Sequence, residues 1–187
     1  MKLILQSLRI FAVLTVLTGA LYPLAVTGIS WLCFREQANG SLIVRDGNVV
    51  GSSLLAQKFE GDRYFWPRPS AADYATVASG ASNLGPTSEK LRKQVAERAA
   101  KLRAAHSLSA DSALPADLLY ASGSGLDPHI SPEAASLQTA RVAKARGLDA
   151  RRVAEVVEHF VEKPQLAFLG EPRVNVLMLN LELDNMR

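Results

Sequence analysis

The segment at residues 120–131, YASGSGLDPHIS, holds the residue types of a serine hydrolase within one short stretch. Ser124 would be the nucleophile, His129 its general base and Asp127 the carboxylate that orients the base. A single short loop rarely wraps an imidazole between a hydroxyl and a carboxylate, and Ser122 replaces the first glycine of the G-x-S-x-G motif. We therefore interpret the segment as a turn braced by its own Ser and Asp side chains, with serine hydrolysis as the alternative.

A second glycine-bearing segment, SGASNLGPTSEK at residues 79–90, shares one property with phosphate-binding loops. Gly80 and Gly85 have the G-x-x-x-x-G spacing, and a helical pattern follows them. Pro86, however, stands where such a loop has its lysine, and proline offers no backbone N–H to a phosphate. Nucleotide hydrolysis by this chain is therefore disfavoured, and the segment is interpreted as the start of a helix that binds an anion weakly at most.

The cysteine and histidine content disfavours metal and disulfide chemistry. Cys33 is the only cysteine, so the domain that follows it has no disulfide. The three histidines, His106, His129 and His159, do not have the spacing of metal ligands. We therefore expect no zinc site, and a domain of about 150 residues that is held together by its core alone.

The N-terminal segment decides on which side of a membrane these loops lie. Residues 10–34 are 25 consecutive positions without a charge, between Arg9 and Arg35. As a helix this run is roughly 37 Å long, enough to cross a hydrocarbon core of about 30 Å, with a kink expected at Pro23. A cleaved signal peptide needs a shorter apolar run and small residues at its end, and a buried helix of a soluble core is disfavoured by the length. We expect an uncleaved transmembrane anchor.

Positive charges before the span predict its orientation. Lys2, Arg9 and the amino terminus precede it, whereas Arg35 after it is followed at once by Glu36. The positive-inside rule then predicts a cytoplasmic N-terminus, a transmembrane helix and a soluble domain outside the cytoplasm, at residues 1–9, 10–34 and 35–187. Of the 21 basic residues, Lys2 and Arg9 precede the domain, which leaves 19 against 18 acidic ones. This balance argues against a nucleic-acid partner.

The pattern after the span predicts an α+β fold, a single mixed α/β domain with a small sheet and about three main helices. Asp46 and Gly47 lie between two apolar runs and predict the turn of a β-hairpin. Tyr64, Phe65 and Trp66 belong to an aromatic, proline-rich segment. We expect this segment to be ordered but irregular, with its aromatic side chains anchored in the core, and contact with a partner is the alternative.

Capping residues mark the boundaries of the predicted helices. The helices are expected at residues 87–105 with Thr87 as N-cap, at 132–146 between Ser131 and Gly147, and at 150–162 with Asp149 as N-cap. The last two resemble a helix-turn-helix, but the near-neutral charge favours a plain helical hairpin. The run VNVLMLNLEL at residues 174–183 is apolar on both faces and predicts a central strand of the sheet.

Four blocks of the sequence together resemble one known family. They are RPSAADY, SGASNLGPTSEKL, ASGSGLDPHISPEAASLQTARVAKARG and GEPRVNVLMLNLELD, and with the N-terminal span they cover essentially the full chain. The chain resembles the KdpC family, the small C subunit of the Kdp-type potassium-transporting P-type ATPase. Ala81 stands where the family typically has glycine.

The resemblance implies a non-catalytic accessory subunit, a single-pass protein of the bacterial inner membrane with its main domain in the periplasm. Its implied partners are a channel-like subunit that holds the potassium pathway, a P-type subunit that hydrolyses ATP, and a small membrane peptide. Such a subunit is expected to support assembly of the complex, and the family is also described as a catalytic chaperone that raises the ATP affinity of the hydrolysing subunit. The complex handles ATP and potassium, so no tightly bound cofactor is expected.

The resemblance also suggests site residues, none of them catalytic or metal-binding. Nucleotide contact is implied, as a family-level statement, for Ser79, Gly80, Ser82 and Asn83. Direct contact conflicts with the expected topology, because ATP binds on the cytoplasmic side. The residues that are candidates for bracing the fold or docking a partner are Arg68, Asp73, Tyr74, Asn83, Gly85, Ser122, Ser124, Asp127 and His129.

Overall fold

The computed structural model describes residues 1–186, which divide into two units, Met1–Val50 and the part from Gly51 onward. The elements in chain order are α1 (Lys2–Val16), a π-helical segment (Leu17–Leu21), α2 (Tyr22–Cys33), α3 (Arg35–Ala38), β1 (Leu42–Arg45), β2 (Asn48–Ser52), α4 (Glu89–His106), α5 (Ala116–Leu119), β3 (His129–Ile130), α6 (Pro132–Arg146), α7 (Ala150–His159), β4 (Val161–Glu162), β5 (Arg173–Asn175) and α8 (Val176–Asn185). The expected mixed α/β fold is confirmed, with one apolar N-terminal helix followed by small sheets and several helices.

The helical stretch Lys2–Cys33 is long and apolar enough to cross a membrane. The π segment Leu17–Leu21 lies directly before Pro23. Proline has no N–H for the carbonyl of Gly19, four residues earlier, and its ring crowds that oxygen. A local π turn accommodates such a mismatch, so the helix departs from α geometry next to Pro23.

The predicted hairpin is confirmed. Strands β1 and β2 pair around Asp46 and Gly47, whose φ angles are 51° and 79°. A positive φ at both central positions is the type I′ turn, which matches the twist of the flanking strands.

A three-stranded antiparallel sheet has the order β3-β5-β4, with β5 in the centre. His129 pairs with Asn175 and Ile130 with Val174 on one side, and Val161 pairs with Val174 on the other. Ile130 and Val174 are both buried in the core that the sheet shares with α4, α6, α7 and α8. Because β3 follows residues 120–128 directly, the sheet holds the end of the Ser/Asp/His loop.

The prediction of a strand over residues 174–183 is wrong beyond Asn175, where the chain continues as the helix α8. Oδ1 of Asn175 accepts a hydrogen bond from the N–H of Met178 at 3.2 Å, and this cap begins α8. A short apolar run fits a buried helix as well as a buried strand, so the cap decides between them. Buried residues then recur at helical spacing, at Val176, Leu179 and Leu183.

The start of α4 also differs from the prediction. Its N-cap is Ser88 and not Thr87, because Oγ of Ser88 accepts a hydrogen bond from the N–H of Leu91 at 3.4 Å. The helix therefore begins at Glu89 and ends at His106.

The predicted caps of α6 and α7 are confirmed. The side chains of Ser131 and Asp149 accept hydrogen bonds from backbone N–H groups of the first turns, and Gly147 ends α6 with φ at 68°. The two helices pack against each other as a helical hairpin. Helix α7 ends at His159 rather than at 162, because Val161–Glu162 pairs with β5 instead.

Side chains of α6 and α8 satisfy the backbone of the aromatic segment, which is irregular as predicted. Oδ1 of Asn180 accepts from the N–H of Phe65 at 2.8 Å, and Nδ2 donates to its carbonyl at 3.0 Å. Gln138 makes the same pair of bonds to Trp66, at 2.7 and 3.1 Å. Phe65 is fully buried, which confirms its expected role as a core anchor.

Two arginines of α6 complete this arrangement. Arg141 donates to the carbonyls of Asp62 and Tyr64 at 2.6 and 3.0 Å. Arg146 donates to the carbonyl of Arg63 at 2.6 Å. The segment is thus held by side chains where a strand would be held by a neighbouring strand.

Candidate functional site

Two loops that carry the sequence motifs lie against each other. At Gly125, a Cβ would lie 3.0 Å from the carbonyl oxygen of Gly80 and 3.3 Å from Oγ of Ser70. The N–H of Ser122 donates to the carbonyl of Pro69 at 3.0 Å. We refer to these two segments as the paired loops, residues 68–85 and 120–131.

The three residues of a serine triad lie in one loop but do not form a triad. Oγ of Ser124 accepts a hydrogen bond from the N–H of Leu126 at 3.1 Å. Within residues 1–186, no hydrogen bond joins Ser124 to His129, whose ring lies between Asp127 and Glu162. Ser124 therefore braces the turn and has no base to activate it.

A row of side chains, four of them charged and one a histidine, connects the paired loops to the three-stranded sheet, and we call it the charge row. Nη1 of Arg68 donates to Oδ2 of Asp127 at 2.9 Å. Oδ1 of Asp127 accepts from the backbone N–H of His129 at 3.0 Å and lies 3.4 Å from Nδ1 of that ring. Nε2 of His129 is 3.8 Å from Glu162, which accepts a hydrogen bond from Arg173 at 2.8 Å. The row thus ends on β4 and β5.

The neighbours of Asp127 hold the pKa of its carboxyl at about 2, below the ordinary value of 3.8. The hydrogen bond with the His129 side chain has the largest effect and Arg68 adds to it, while burial acts in the opposite direction. A general base works best with a pKa near the working pH, and Asp127 is far below it. Its carboxylate is suited to holding the two loops together, not to proton transfer.

Tyr74 and Ser70 brace the first of the paired loops. Oη of Tyr74 donates to the carbonyl of Arg68 at 2.8 Å, and Oγ of Ser70 accepts from the N–H of Tyr74 at 3.0 Å. Burial, with a further contribution from Asp73, raises the pKa of Tyr74 to about 12, so the hydroxyl stays a donor. Asp73 pairs with Lys58 at 2.9 Å on the exposed side.

The residues with implied nucleotide contact lie in the loop before α4. Three of them, Ser79, Ser82 and Asn83, are exposed to solvent, while Gly80 packs against Gly125. Gly85, a candidate for bracing or docking in the same loop, is also exposed. The amino terminus of α4 is already occupied, because Ser88 caps it and Glu89 puts a carboxylate in its first turn. A cap and a negative charge both oppose phosphate binding at that helix end.

Some residues of the site could not be identified from the sequence. Glu162 and Arg173 lie opposite each other in the β4–β5 register, and Ser70 contacts a loop more than fifty positions away. Only strand pairing and loop packing bring these residues to the site, and single-sequence patterns contain neither. Within residues 1–186, no group of three or more His, Cys, Asp or Glu side chains could hold a metal ion.

Comparison with known proteins gives the same family over nearly the whole chain. The family model described as "KdpC: K+-transporting ATPase, c chain" matches residues 4–185. The "Potassium-transporting ATPase KdpC subunit" of Rhodospirillum rubrum is 57% identical over 180 residues, which cover 95% of this chain and 93% of the relative. Proteins of the same description are 51% identical over 189 residues in Citrifermentans bemidjiense (99% and 98% covered) and 50% identical over 185 residues in Mycobacterium tuberculosis (98% of each).

Proposed function

Because the chain belongs to the KdpC family of K+-transporting ATPase c chains, we propose that it is an accessory subunit of a potassium-transporting ATPase and catalyses no reaction itself. One observation carries this proposal: the family match runs from residue 4 to residue 185, so it includes the apolar N-terminal helix as well as every element of the domain. The relatives above carry the same subunit name at 50–57% identity.

The geometry of the paired loops supports a non-catalytic role. Ser124 accepts a backbone hydrogen bond, and Asp127 is engaged by both Arg68 and His129. Polar side chains that satisfy one another in this way hold a loop in one conformation, whereas a nucleophile has to be activated by a base. The same residues are then candidates for presenting the exposed Ser82 and Asn83 to a partner subunit.

We place residues 10–34 in the bacterial inner membrane, with residues 1–9 in the cytoplasm and residues 35–187 in the periplasm. The length and apolarity of the helix support a membrane span. Lys2 and Arg9 before it support the orientation.

The proposed partners are a channel-like potassium subunit, a P-type subunit that hydrolyses ATP, and a small membrane peptide. In this arrangement ATP and potassium bind to the other subunits. A domain that binds one conformation of the channel-like subunit more tightly shifts the equilibrium towards it. An effect on ATP affinity then arises by coupling between distant sites, without nucleotide contact by this chain.

Co-purification of the tagged full-length chain with the large membrane subunits tests the proposal. We expect the wild type and Ser124→Ala to recover the same complex, with the same potassium-stimulated ATP hydrolysis. A complex that assembles and keeps its potassium affinity without this chain would contradict an accessory role. Ester hydrolysis by the purified chain that disappears in Ser124→Ala would support the serine hydrolase alternative.

A further inference from the structure

A cleft of about 250 Å³ opens between α4 and the segment that leads into the first of the paired loops. Its apolar walls come from Phe59, Trp66, Pro69 and Leu102. Its polar lining is dominated by cations, at Lys58, Arg98 and Lys101, and includes one carboxylate, that of Glu60. We refer to it as the basic cleft.

The charge of Lys58 is balanced within the domain. Nζ of Lys58 lies 2.9 Å from Asp73 and 3.3 Å from Glu60. Asp73 first and Glu60 second raise the pKa of this lysine, so it stays charged. The charge of Lys58, at the rim of the cleft, is therefore already neutralised by the carboxylates of Asp73 and Glu60.

The positive charges of Arg98 and Lys101 are not balanced by carboxylates in this way. They stand one turn apart on α4, and no carboxylate within residues 1–186 forms an ion pair with either of them. Nη1 of Arg98 donates to the carbonyl of Leu119 at 2.8 Å, which fixes the guanidinium at the cleft. Nζ of Lys101 lies 5.0 Å from the centre of the Trp66 ring, which orients its ammonium.

The environment of Arg98 also favours an added negative charge. Burial lowers the pKa of its guanidinium, because the charged form loses solvation that nearby groups only partly replace. A carboxylate placed in the cleft would restore that interaction and would form charge-assisted hydrogen bonds with the free N–H groups.

The cleft lies at the lower end of the size range of ligand-binding clefts, and one side chain fits it. Clefts that hold drug-sized ligands have volumes of about 300–1,000 Å³, and the basic cleft has about 250 Å³. Its apolar walls and cationic lining fit an acidic side chain with an apolar neighbour, as on the surface of a protein partner.

We propose that the basic cleft binds an acidic side chain of another subunit of the ATPase, between Arg98 and Lys101, with an apolar neighbouring residue against Trp66 and Phe59. This inference rests on the proposed function, since it requires a partner subunit. The inference goes beyond the proposed function by naming the surface and the chemistry of the contact.

Charge reversal on one helix gives a matched test. In the assembled complex, Arg98→Glu with Lys101→Glu should reduce co-purification by about 10-fold or more, because two like charges would then face the partner's carboxylate. The control is Lys90→Glu with Lys93→Glu, which makes the same charge change at the same spacing on exposed positions of α4. If the double variant at the cleft does not fold, Lys101→Glu alone serves, because Lys101 is exposed.

A carbodiimide coupling reaction identifies the occupant directly. This reagent joins an amine to a carboxylate in contact, so we expect an isopeptide bond between Lys101 and an Asp or Glu of another subunit, lost in Lys101→Arg. Normal co-purification of the cleft variants would overturn the inference, as would a cross-link from Lys101 only to this chain's own carboxylates. If the wild type itself fails to co-purify, the proposed function fails first, so the two failures are distinguishable.

Discussion

At Gly125 the backbone of one paired loop lies against the backbone of the other. Two separate constraints meet there, since φ is 72° and a Cβ would lie 3.0 Å from the carbonyl oxygen of Gly80. Any L side chain at this position would strain the backbone at this φ and would push the carbonyl of Gly80 away. Gly123, two positions earlier, has neither constraint, because a Cβ added there would meet nothing within 4 Å.

The two glycines therefore form a matched pair for mutation. We expect Gly125→Ala to lower the free energy of unfolding by about 1–3 kcal/mol, from the left-handed backbone and from the contact with Gly80. Gly123→Ala should change it by less than about 0.5 kcal/mol. Urea unfolding of the full chain in detergent, followed by tryptophan fluorescence, measures both. Equal effects of the two substitutions would contradict the close approach of the loops.

Asp127 makes the stability of the paired loops depend on acidity. Its folded-state pKa is about 2, against 3.8 ordinarily, so the folded protein binds its proton less readily than the unfolded chain. The stabilisation is therefore fully present well above the unfolded-state pKa and is lost progressively as the pH falls from about 5 to about 1.

The variant Asp127→Asn isolates this contribution. We expect it to be less stable than the wild type at pH 7 and to approach the wild type as the pH falls to 2 and below, where the carboxylate of the folded wild type takes up its proton. Urea unfolding at several pH values measures the difference. Asp111→Asn, with the same charge change at an exposed position, serves as the control. A difference that stays constant between pH 7 and pH 2 would show that the charge of Asp127 does not stabilise the fold.

Elements with local stop and start signals could be predicted from the sequence. Helix α6 follows from Ser131, Pro132 and Gly147, because a cap, a first-turn proline and a left-handed glycine act within one turn of the chain. Helix α8 could not be predicted, since its apolar run fits two kinds of element. The cap that distinguishes them is one asparagine, Asn175, which also pairs as part of β5.

The candidate site was predictable in its parts but not in its contacts. Both loops were identified from glycine, serine and aspartate, whose turn chemistry is local. The ion pair between Arg68 and Asp127 joins positions 59 residues apart. It exists because the sheet and the helices bring the loops together, which a periodic pattern in one sequence does not encode.

Helix α8 is joined to the aromatic segment by the two hydrogen bonds between Asn180 and the backbone of Phe65. Asn180→Ala would leave the N–H and the carbonyl of Phe65 buried without partners, at a cost of about 1–3 kcal/mol for each group. Glu182→Ala, on the exposed side of the same helix, should cost less than about 1 kcal/mol. Thermal unfolding followed by near-UV circular dichroism compares them. A small effect of Asn180→Ala would mean that water or another group replaces the lost bonds.

Across the whole molecule, the two units differ in how far the protein itself buries their apolar side chains. The apolar window within Lys2–Cys33 has none of its residues buried inside the protein. The part from Gly51 onward has a core of its own, with Phe65, Leu179 and Leu183 fully buried. A bilayer would remove the apolar surface of this helix from water, so this difference supports the proposed anchor.

The proposed orientation can be tested with single cysteines in a Cys33→Ser background, because Cys33 is the only cysteine. Val77→Cys reports on the domain, since Val77 is 86% exposed, and Ser7→Cys reports on the N-terminus. Lys2 and Arg9 should keep the N-terminus in the cytoplasm. A membrane-impermeant maleimide should therefore label Val77→Cys in intact spheroplasts, and Ser7→Cys only after permeabilisation.

Reversing the charge bias should then weaken this orientation. With Lys2→Glu, Arg9→Glu and Glu36→Lys combined, the excess of positive charge moves to the other end of the span, and a fraction of the chains should insert the opposite way. Labelling of Val77→Cys in intact spheroplasts should fall in that background, while labelling after permeabilisation stays complete. If Val77→Cys is protected in the otherwise unchanged chain, the domain lies inside, and the basic cleft would have to meet its partner on the cytoplasmic face.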